Sequence, residues 1–202
     1  MDYFRINIKY LFVTIFLLVS CANFSAYFNT FYNAKEQFEQ AEVIRKKSEK
    51  NKLPKSALDL YQSSIEKSKY ILSKYPEVDF RKDAYLLIIK SHFFRSEYLE
   101  TNQALSEMRL EFENELTYDI AYWTALVKWK EGRTQSAINS LIELSNSKIN
   151  KSLQSKIYLS IAEIYFEQNL NDKSMDYLEL AAKAIKDRSE KDQIYYRIAD
   201  LS

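Results

Sequence analysis

Glycine and proline are almost missing from this chain, since its 202 residues include one glycine and two prolines. The tight turns that connect antiparallel strands depend on these residues, so their scarcity argues against a fold rich in β-sheet. A single cysteine leaves no second thiol with which to form an internal disulfide. Charged and apolar residues are interspersed and not segregated in blocks, which is typical of a folded chain. We therefore expect an all-α protein that is stabilised by packing alone.

A short apolar segment near the N-terminus leads to the only cysteine. The segment runs from Tyr10 to Val19 and follows the basic residues Arg5 and Lys9. A charged start, an apolar core and a small residue at the cleavage point are typical of an export signal. A membrane-spanning helix needs about 20 apolar residues, roughly twice the length of this segment. We therefore favour an export signal over an uncleaved transmembrane helix. An ordinary signal peptide with a chance cysteine is the alternative to the lipoprotein signal that the residues around the cysteine resemble.

Residues 18–21, Leu-Val-Ser-Cys, resemble the lipobox of bacterial lipoproteins. The resemblance implies that residues 1–20 are a signal peptide that is removed. It also implies that Cys21 is acylated and becomes the first residue of the mature chain. Residues 21–26 are then a lipidated tether, and a helical domain occupies residues 27–202.

The mature chain is balanced in charge. Removal of the signal peptide takes away Asp2, Arg5 and Lys9 and leaves 27 basic and 27 acidic residues. Without a basic face on any one helix, this balance argues against nucleic acid as a partner. Basic residues do cluster between positions 45 and 55, where we expect a solvated loop. The alternative is contact with anionic lipid headgroups, which requires the first helix to lie flat on the membrane.

Apolar residues at helical spacing predict nine helices after the tether. The first helix carries an aromatic stripe that includes Phe28, Phe31 and Phe38. We expect this stripe to pack in the core, with contact of Phe24, Tyr27 and Phe28 with the lipid interface as the alternative. The predicted helices span residues 27–50, 56–75, 80–95, 97–112, 117–131, 133–146, 150–168, 171–187 and 190–201.

Small side chains return at a fixed period along these helices. One column is spaced by 37, 36 and 37 residues and contains Ser64, Thr101, Ala137 and Ser174. A second column is spaced by 36, 37 and 37 residues and contains Ile89, Ala125, Ala162 and Ala199. In tetratricopeptide repeats (TPRs) the paired helices cross at two such positions, where a large side chain would hold the backbones apart. Ile89 departs from the pattern and predicts a wider crossing.

Two further segments resemble bacterial TPR lipoproteins. The run Ser-Lys-Tyr-Ile-Leu-Ser-Lys-Tyr-Pro at 68–76, with Asp-Ala-Tyr-Leu-Leu-Ile at 83–88 and Glu-Tyr-Leu at 97–99, is similar to the TPR lipoprotein of the outer-membrane β-barrel assembly machinery. The run Tyr-Phe-Asn-Thr-Phe-Tyr-Asn-Ala at 27–34 resembles the opening of a related group. The resemblance implies a right-handed α-solenoid of antiparallel helix pairs.

Location and role follow from the same resemblance. It implies a periplasmic scaffold, held at the outer membrane by its lipid, that binds proteins and takes part in outer-membrane protein assembly. Residue 22 is alanine and not aspartate, which under enterobacteria-like sorting resembles outer-membrane delivery. The alternative is a structural envelope lipoprotein without a peptide-binding groove.

A concave groove is the candidate binding site. In TPR solenoids, fixed positions of the first helix of each pair face the concave surface. An apolar stripe there suits an extended peptide or a partner helix, and Lys90 and Lys130 are placed to bind its carboxylates. The alternative is that Phe93, Trp129 and Phe166 pack against the adjacent repeat. The proposed groove residues are Leu86, Lys90, Phe93, Tyr122, Leu126, Trp129, Lys130 and Phe166.

We expect no catalytic site, metal, cofactor or small-molecule substrate. The only histidine, His92, occupies a packing position of a helix, and one histidine without cysteines or clustered carboxylates makes a poor metal site. The single glycine, Gly132, cannot supply a glycine-rich phosphate loop.

Residues 194–202 read as the first helix of a further pair. This predicts either a fragment of a longer protein or a last helix that docks or swaps.

Overall fold

The computed structural model describes residues 28–48, 53–112, 115–185 and 187–201. Within these ranges all regular structure is helical, and the nine predicted helices are confirmed, with ends shifted by three residues at most. The helices are α1 (28–47), α2 (Lys55–Lys74), α3 (Arg81–Phe94), α4 (Tyr98–Glu111), α5 (Thr117–Lys130), α6 (Thr134–Ser145), α7 (Lys151–Glu167), α8 (Asn171–Ala184) and α9 (Arg188–Leu201).

The helices fall into two compact units that meet in sequence between Glu97 and Tyr98. Unit 1 contains α1 to α3, and unit 2 contains α4 to α9. The sequence predicts one helical domain over residues 27–202. The division into units is a feature of how the helices pack, and no change in composition marks it.

In unit 1, the three helices pack around a small aromatic core. Tyr61 of α2 is fully buried, and its ring lies 5.6 Å from that of Phe38 on α1 and 5.9 Å from that of Phe94 on α3. Near the other end of α2, Arg81 Nη1 donates to the carbonyl oxygen of Leu72 at 2.8 Å. Helices α2 and α3 are therefore antiparallel.

In unit 2, each helix from α4 to α9 packs on the next. Ser174 Oγ donates to Ala162 O at 2.9 Å and Ser155 Oγ donates to Ala181 O at 3.4 Å, so α7 and α8 are antiparallel. Helices α5 and α7 also touch, and they run parallel. Parallel first helices beside antiparallel partners are the arrangement expected of stacked helix pairs.

The two columns of small residues are buried where the structure describes a covering helix. Ser64, Thr101, Ala137 and Ser174 have no exposed surface, and Ala125 and Ala162 have almost none. Ile89 is also fully buried, and the wider crossing predicted there stays a prediction. Ala199 on α9 is exposed, and no described helix follows α9 to cover it.

The same period reappears in the backbone, at the ends of α3, α5 and α7. Ser96, Gly132 and Asn169 have positive φ angles of 63°, 83° and 58°, and they are 36 and 37 residues apart. The next amide donates to the carbonyl five residues back at 2.9 to 3.0 Å in all three turns. Each helix thus ends in the same left-handed cap, which satisfies carbonyls that would otherwise lack partners. The repeat is therefore a property of the turns as well as of the side chains.

Candidate functional site

A groove in unit 1 lies between α1 and α3 and has a volume of about 290 Å³. Leu86 and Lys90, both proposed from the sequence, line it together with Phe31, Phe38 and Leu87. Lys90 Nζ lies 6.0 Å from the ring centroid of Phe38. The groove also contains Lys35, Glu39 and Asp83, so its apolar residues are accompanied by charges of both signs.

Phe93, the third groove residue proposed in unit 1, is a core residue. Its side chain is 7% exposed, and its ring packs edge-on against Phe94 at 5.5 Å. Lys90 and Phe93 are three residues apart and therefore lie on neighbouring parts of one helix face, yet Lys90 is partly exposed and Phe93 is buried, so the covering helix and not the spacing decides their exposure. The burial of Phe93 is the outcome expected of packing against neighbouring helices.

A partly buried ion pair of α1, between Glu42 and Arg45, contacts both α2 and α3. Arg45 donates two hydrogen bonds of 2.8 Å to the carboxylate of Glu42, and the Tyr61 hydroxyl donates a third to the same carboxylate. The guanidinium also lies 4.1 Å from the ring centroid of Phe94 on α3. The sequence suggested a solvated loop here, but Arg45 lies on α1 and contacts Tyr61 and Phe94. These contacts could not be predicted because they form only when the three helices pack.

The environment of this pair shifts its titration. Burial by itself raises the pKa of Glu42, but the hydrogen bonds from Arg45 and Tyr61 outweigh burial and hold that pKa below its ordinary value. Burial and the hydrogen bond to the Glu42 carboxylate both raise the pKa of Tyr61. The cluster therefore consists of a carboxylate, a guanidinium and a neutral phenol, an arrangement suited to holding helices together.

His92 belongs to a second polar cluster of unit 1. It is buried, and its Nδ1 donates to Glu97 at 2.6 Å. Arg95 donates to the other oxygen of the same carboxylate at 2.8 Å and also to the carbonyl oxygen of Leu58 at 2.6 Å. These bonds fasten the turn after α3 to the start of α2. Within the part of the chain that the structure describes, no three His, Cys, Asp or Glu side chains are grouped as metal ligands.

In unit 2, the parallel helices α5 and α7 are bridged by two polar contacts. The hydroxyls of Tyr122 and Ser160 are 3.0 Å apart, and Lys130 Nζ donates to Glu167 at 3.2 Å. Burial is the main cause of the raised pKa of Tyr122. Both contacts join residues 37 or 38 positions apart, so they link one repeat to the next. Lys130 thus has a carboxylate partner within the chain.

The remaining proposed residues of unit 2 differ in exposure. Leu126 is 5% exposed and belongs to the core. Trp129 and Phe166 are half-buried, and Lys130 Nζ lies 3.4 Å from the ring centroid of Trp129. Because Lys130 also pairs with Glu167, which follows Phe166 in sequence, it brings the ends of α5 and α7 together. Tyr122, Trp129, Lys130 and Phe166 therefore lie on the two bridged helices.

A larger cavity of unit 2, of about 800 Å³, lies between α7, the end of α8 and α9. Leu159, Ala184, Ile185 and Ile194 supply its apolar lining. Lys151 and Lys156 contribute positive charge, and among the lining residues whose side chains the structure describes there is no carboxylate. We call this space the α7/α9 cavity. The sequence did not predict this cavity because the cavity depends on where α9 packs, although the lysines at the start of α7 were a usable signal.

Cys21 and the predicted signal peptide lie outside the described residues. Among the described helices, none combines the length and the apolar character needed to cross a membrane. No family model and no curated protein sequence matches the chain.

Proposed function

We propose that this protein is a lipid-anchored, non-enzymatic scaffold of TPR-like repeats that binds protein partners at the periplasmic face of the outer membrane. The observation that carries the proposal is the period of 36 to 37 residues. It recurs in the buried small side chains, in the left-handed caps after α3, α5 and α7, and in the contact of Lys130 with Glu167 between α5 and α7.

This periodicity supports a scaffold because the residues that repeat are those that pack helices together. The repeated residues close helix crossings, end helices or join adjacent helices. In repeat proteins such stacking creates extended surfaces for partners, and function is a property of those surfaces. Outer-membrane protein assembly is the role we propose, on the basis of the segments at 68–76 and 83–88.

The α7/α9 cavity and the half-buried rings of unit 2 are the proposed contact surface. The cavity offers an apolar lining beside Lys151 and Lys156, which complements a partner segment that carries both apolar and acidic residues. Trp129 and Phe166 are aromatic, and aromatic residues are enriched at protein interfaces, with tryptophan also enriched at hot spots. A protein segment is therefore the class of partner that we propose for unit 2.

The alternative is a structural envelope lipoprotein that organises its neighbours without a client groove. The burial of Phe93 and Leu126 and the pairing of Lys130 with Glu167 favour this alternative, because these three residues are engaged within the chain. Under this alternative the bridges between α5 and α7 serve only to stiffen the array of helices.

Site-specific photo-crosslinking in cells tests the proposal. A photoreactive residue at position 129 or 156 is expected to capture the same partner, and capture of an outer-membrane assembly component would support the proposed role. The matched control is position 143, since Glu143 is exposed on α6. Reproducible absence of any product at 129 and 156, with the protein correctly localised, contradicts partner binding and leaves the structural alternative.

The proposed anchor has its own test. Cys21→Ala removes the acylated sulfur, so metabolic labelling with palmitate is expected to disappear and the signal peptide to remain attached. Fractionation of the envelope would place the wild-type protein with the outer membrane. Unacylated wild-type protein would contradict the anchor, whatever the crosslinking shows.

A further inference from the structure

One end of unit 1 exposes several aromatic side chains. Phe28 and Tyr32 are one turn apart on α1 and are 45% and 60% exposed. Tyr70, near the end of α2, is 48% exposed. Large apolar rings at such exposure are uncommon in a group, and grouped exposure is typical of an interaction surface.

Packing beneath these rings fixes their position. Phe31 stacks on Phe80 with ring centroids 4.9 Å apart, and Phe28 lies 5.9 Å from the same ring. Tyr70 packs edge-on against Tyr75 at 6.2 Å. The rings of α1 are thus held against the α2–α3 connection. We call the surface formed by Phe28, Tyr32, Tyr70, Tyr75 and Phe80 the aromatic end.

The connection beneath the aromatic end is matched in charge. Arg81 Nη1 donates to the carbonyl oxygens of Leu72 and Tyr75, at 2.8 and 3.3 Å, and so holds the connection against α3. Residues 74–83 contain the three basic residues Lys74, Arg81 and Lys82 and the three acidic residues Glu77, Asp79 and Asp83. The connection therefore carries no net charge with which to attract an acidic or a basic partner. Tyrosine and phenylalanine without net charge suit the interface of a lipid bilayer, where aromatic rings are enriched.

The tether is short enough for the aromatic end to reach the membrane. Phe28 follows Cys21 by seven residues, and a fully extended chain of that length spans at most about 25 Å. The polar headgroup region of one leaflet is roughly 5 to 8 Å thick. An acyl chain on Cys21 therefore holds Phe28 within about 25 Å of the anchor, a distance from which the start of α1 can reach the headgroup region.

We propose that the aromatic end of unit 1 inserts its exposed rings into the lipid interface beside the acyl anchor. This inference rests on the proposed acylation of Cys21, and its occupant is the lipid surface. The contact limits how unit 1 can rotate on its tether. Because charge is matched, the contact does not depend on anionic lipid.

Depth measurement on the full, lipidated protein in phosphatidylcholine vesicles tests the inference. Acylation of Cys21 leaves a newly introduced cysteine as the only free thiol, so Tyr32→Cys can be labelled with a nitroxide. Val43→Cys is the matched control, because Val43 is 52% exposed on the same helix about 16 Å further along. Access of each label to oxygen and to a water-soluble nickel complex is measured by electron paramagnetic resonance.

We expect the label at position 32 to be several-fold less accessible to nickel than the label at position 43, and to be readily accessible to oxygen. Equal, water-like accessibility at both positions would overturn the inference, and so would protection that appears only with anionic lipid. Mass spectrometry of the same preparation detects the acyl chains. A protein without them overturns the anchor and this inference together, whereas an acylated protein with an exposed label overturns this inference alone.

Discussion

Ser174 Oγ of α8 donates a hydrogen bond of 2.9 Å to the carbonyl oxygen of Ala162 on α7, and both residues are fully buried. These are the two residues at which the repeat pattern requires small side chains. A larger residue at either position would push the helices apart, and the serine adds a polar contact between their backbones. At Ser174 the side chain is small because the helices cross there, and its hydroxyl is tolerated because it has an acceptor.

Ser64 occupies the equivalent position of α2, but its buried hydroxyl has no hydrogen-bond partner among the described residues. We expect Ser174→Ala to lower the free energy of unfolding by about 1 kcal/mol, because a buried hydrogen bond is lost. Ser64→Ala is expected to raise it by up to about 1 kcal/mol, because an unsatisfied buried hydroxyl is removed. Urea denaturation followed by circular dichroism measures both changes. Equal effects of the two substitutions would contradict the difference in hydrogen bonding.

The left-handed caps give a second prediction. Gly132 has a φ angle of 83°, and a Cβ atom added there would meet nothing within 4 Å. Gly132→Ala is therefore expected to cost about 1 to 2 kcal/mol from backbone strain alone, and Gly132→Asn less, since asparagine tolerates this conformation. At the equivalent position 96, Ser96→Gly relieves strain of about 1 to 2 kcal/mol and adds an entropic cost of about 0.5 to 1 kcal/mol, so the free energy of unfolding is expected to rise by about 1 kcal/mol or less. Thermal and urea unfolding of the three variants measures their order of stability. A higher free energy of unfolding for Gly132→Ala than for wild type would contradict the prediction.

The pKa of Glu42 gives a prediction for acid. Because its folded-state pKa is lowered, Glu42 contributes stability above its ordinary carboxyl pKa, and that stability is lost as pH falls through the folded value. Glu42→Gln is expected to cost about 1 to 3 kcal/mol at neutral pH, since hydrogen bonds to a charged group are removed. The difference from wild type should shrink as pH falls below about 4.

Glu39→Gln is the matched control for this prediction. Glu39 lies on the same helix, and its exposed carboxylate is 3.8 Å from Lys35. Exposed pairs at this spacing contribute about 0.5 kcal/mol or less, so Glu39→Gln should change stability little at any pH. Urea titrations from neutral to acidic pH measure both variants. A cost of Glu42→Gln that is constant across this range would show that the Glu42 charge does not stabilise the fold.

The sequence predicted which positions belong to the candidate site. It could not predict what each side chain at those positions contacts. Leu86 and Lys90 do line a groove, and Trp129 and Phe166 are half-buried on bridged helices. Phe93 has the same apolar character and the same repeat position as these rings, yet it is a core residue. Sequence spacing gives the face of a helix, whereas exposure depends on the neighbour that covers that face.

By itself, the sequence determined the helices, their lengths and their period, because helix formation and the spacing of small residues are local properties of the chain. Tertiary packing alone decided the grouping into two units, the contact of Tyr61 and Phe94 with the Glu42–Arg45 pair, and the α7/α9 cavity. Each of these joins side chains that are distant in sequence. Such contacts form only when helices settle at particular distances and angles, and many arrangements of the same amphipathic helices would satisfy the same local pattern.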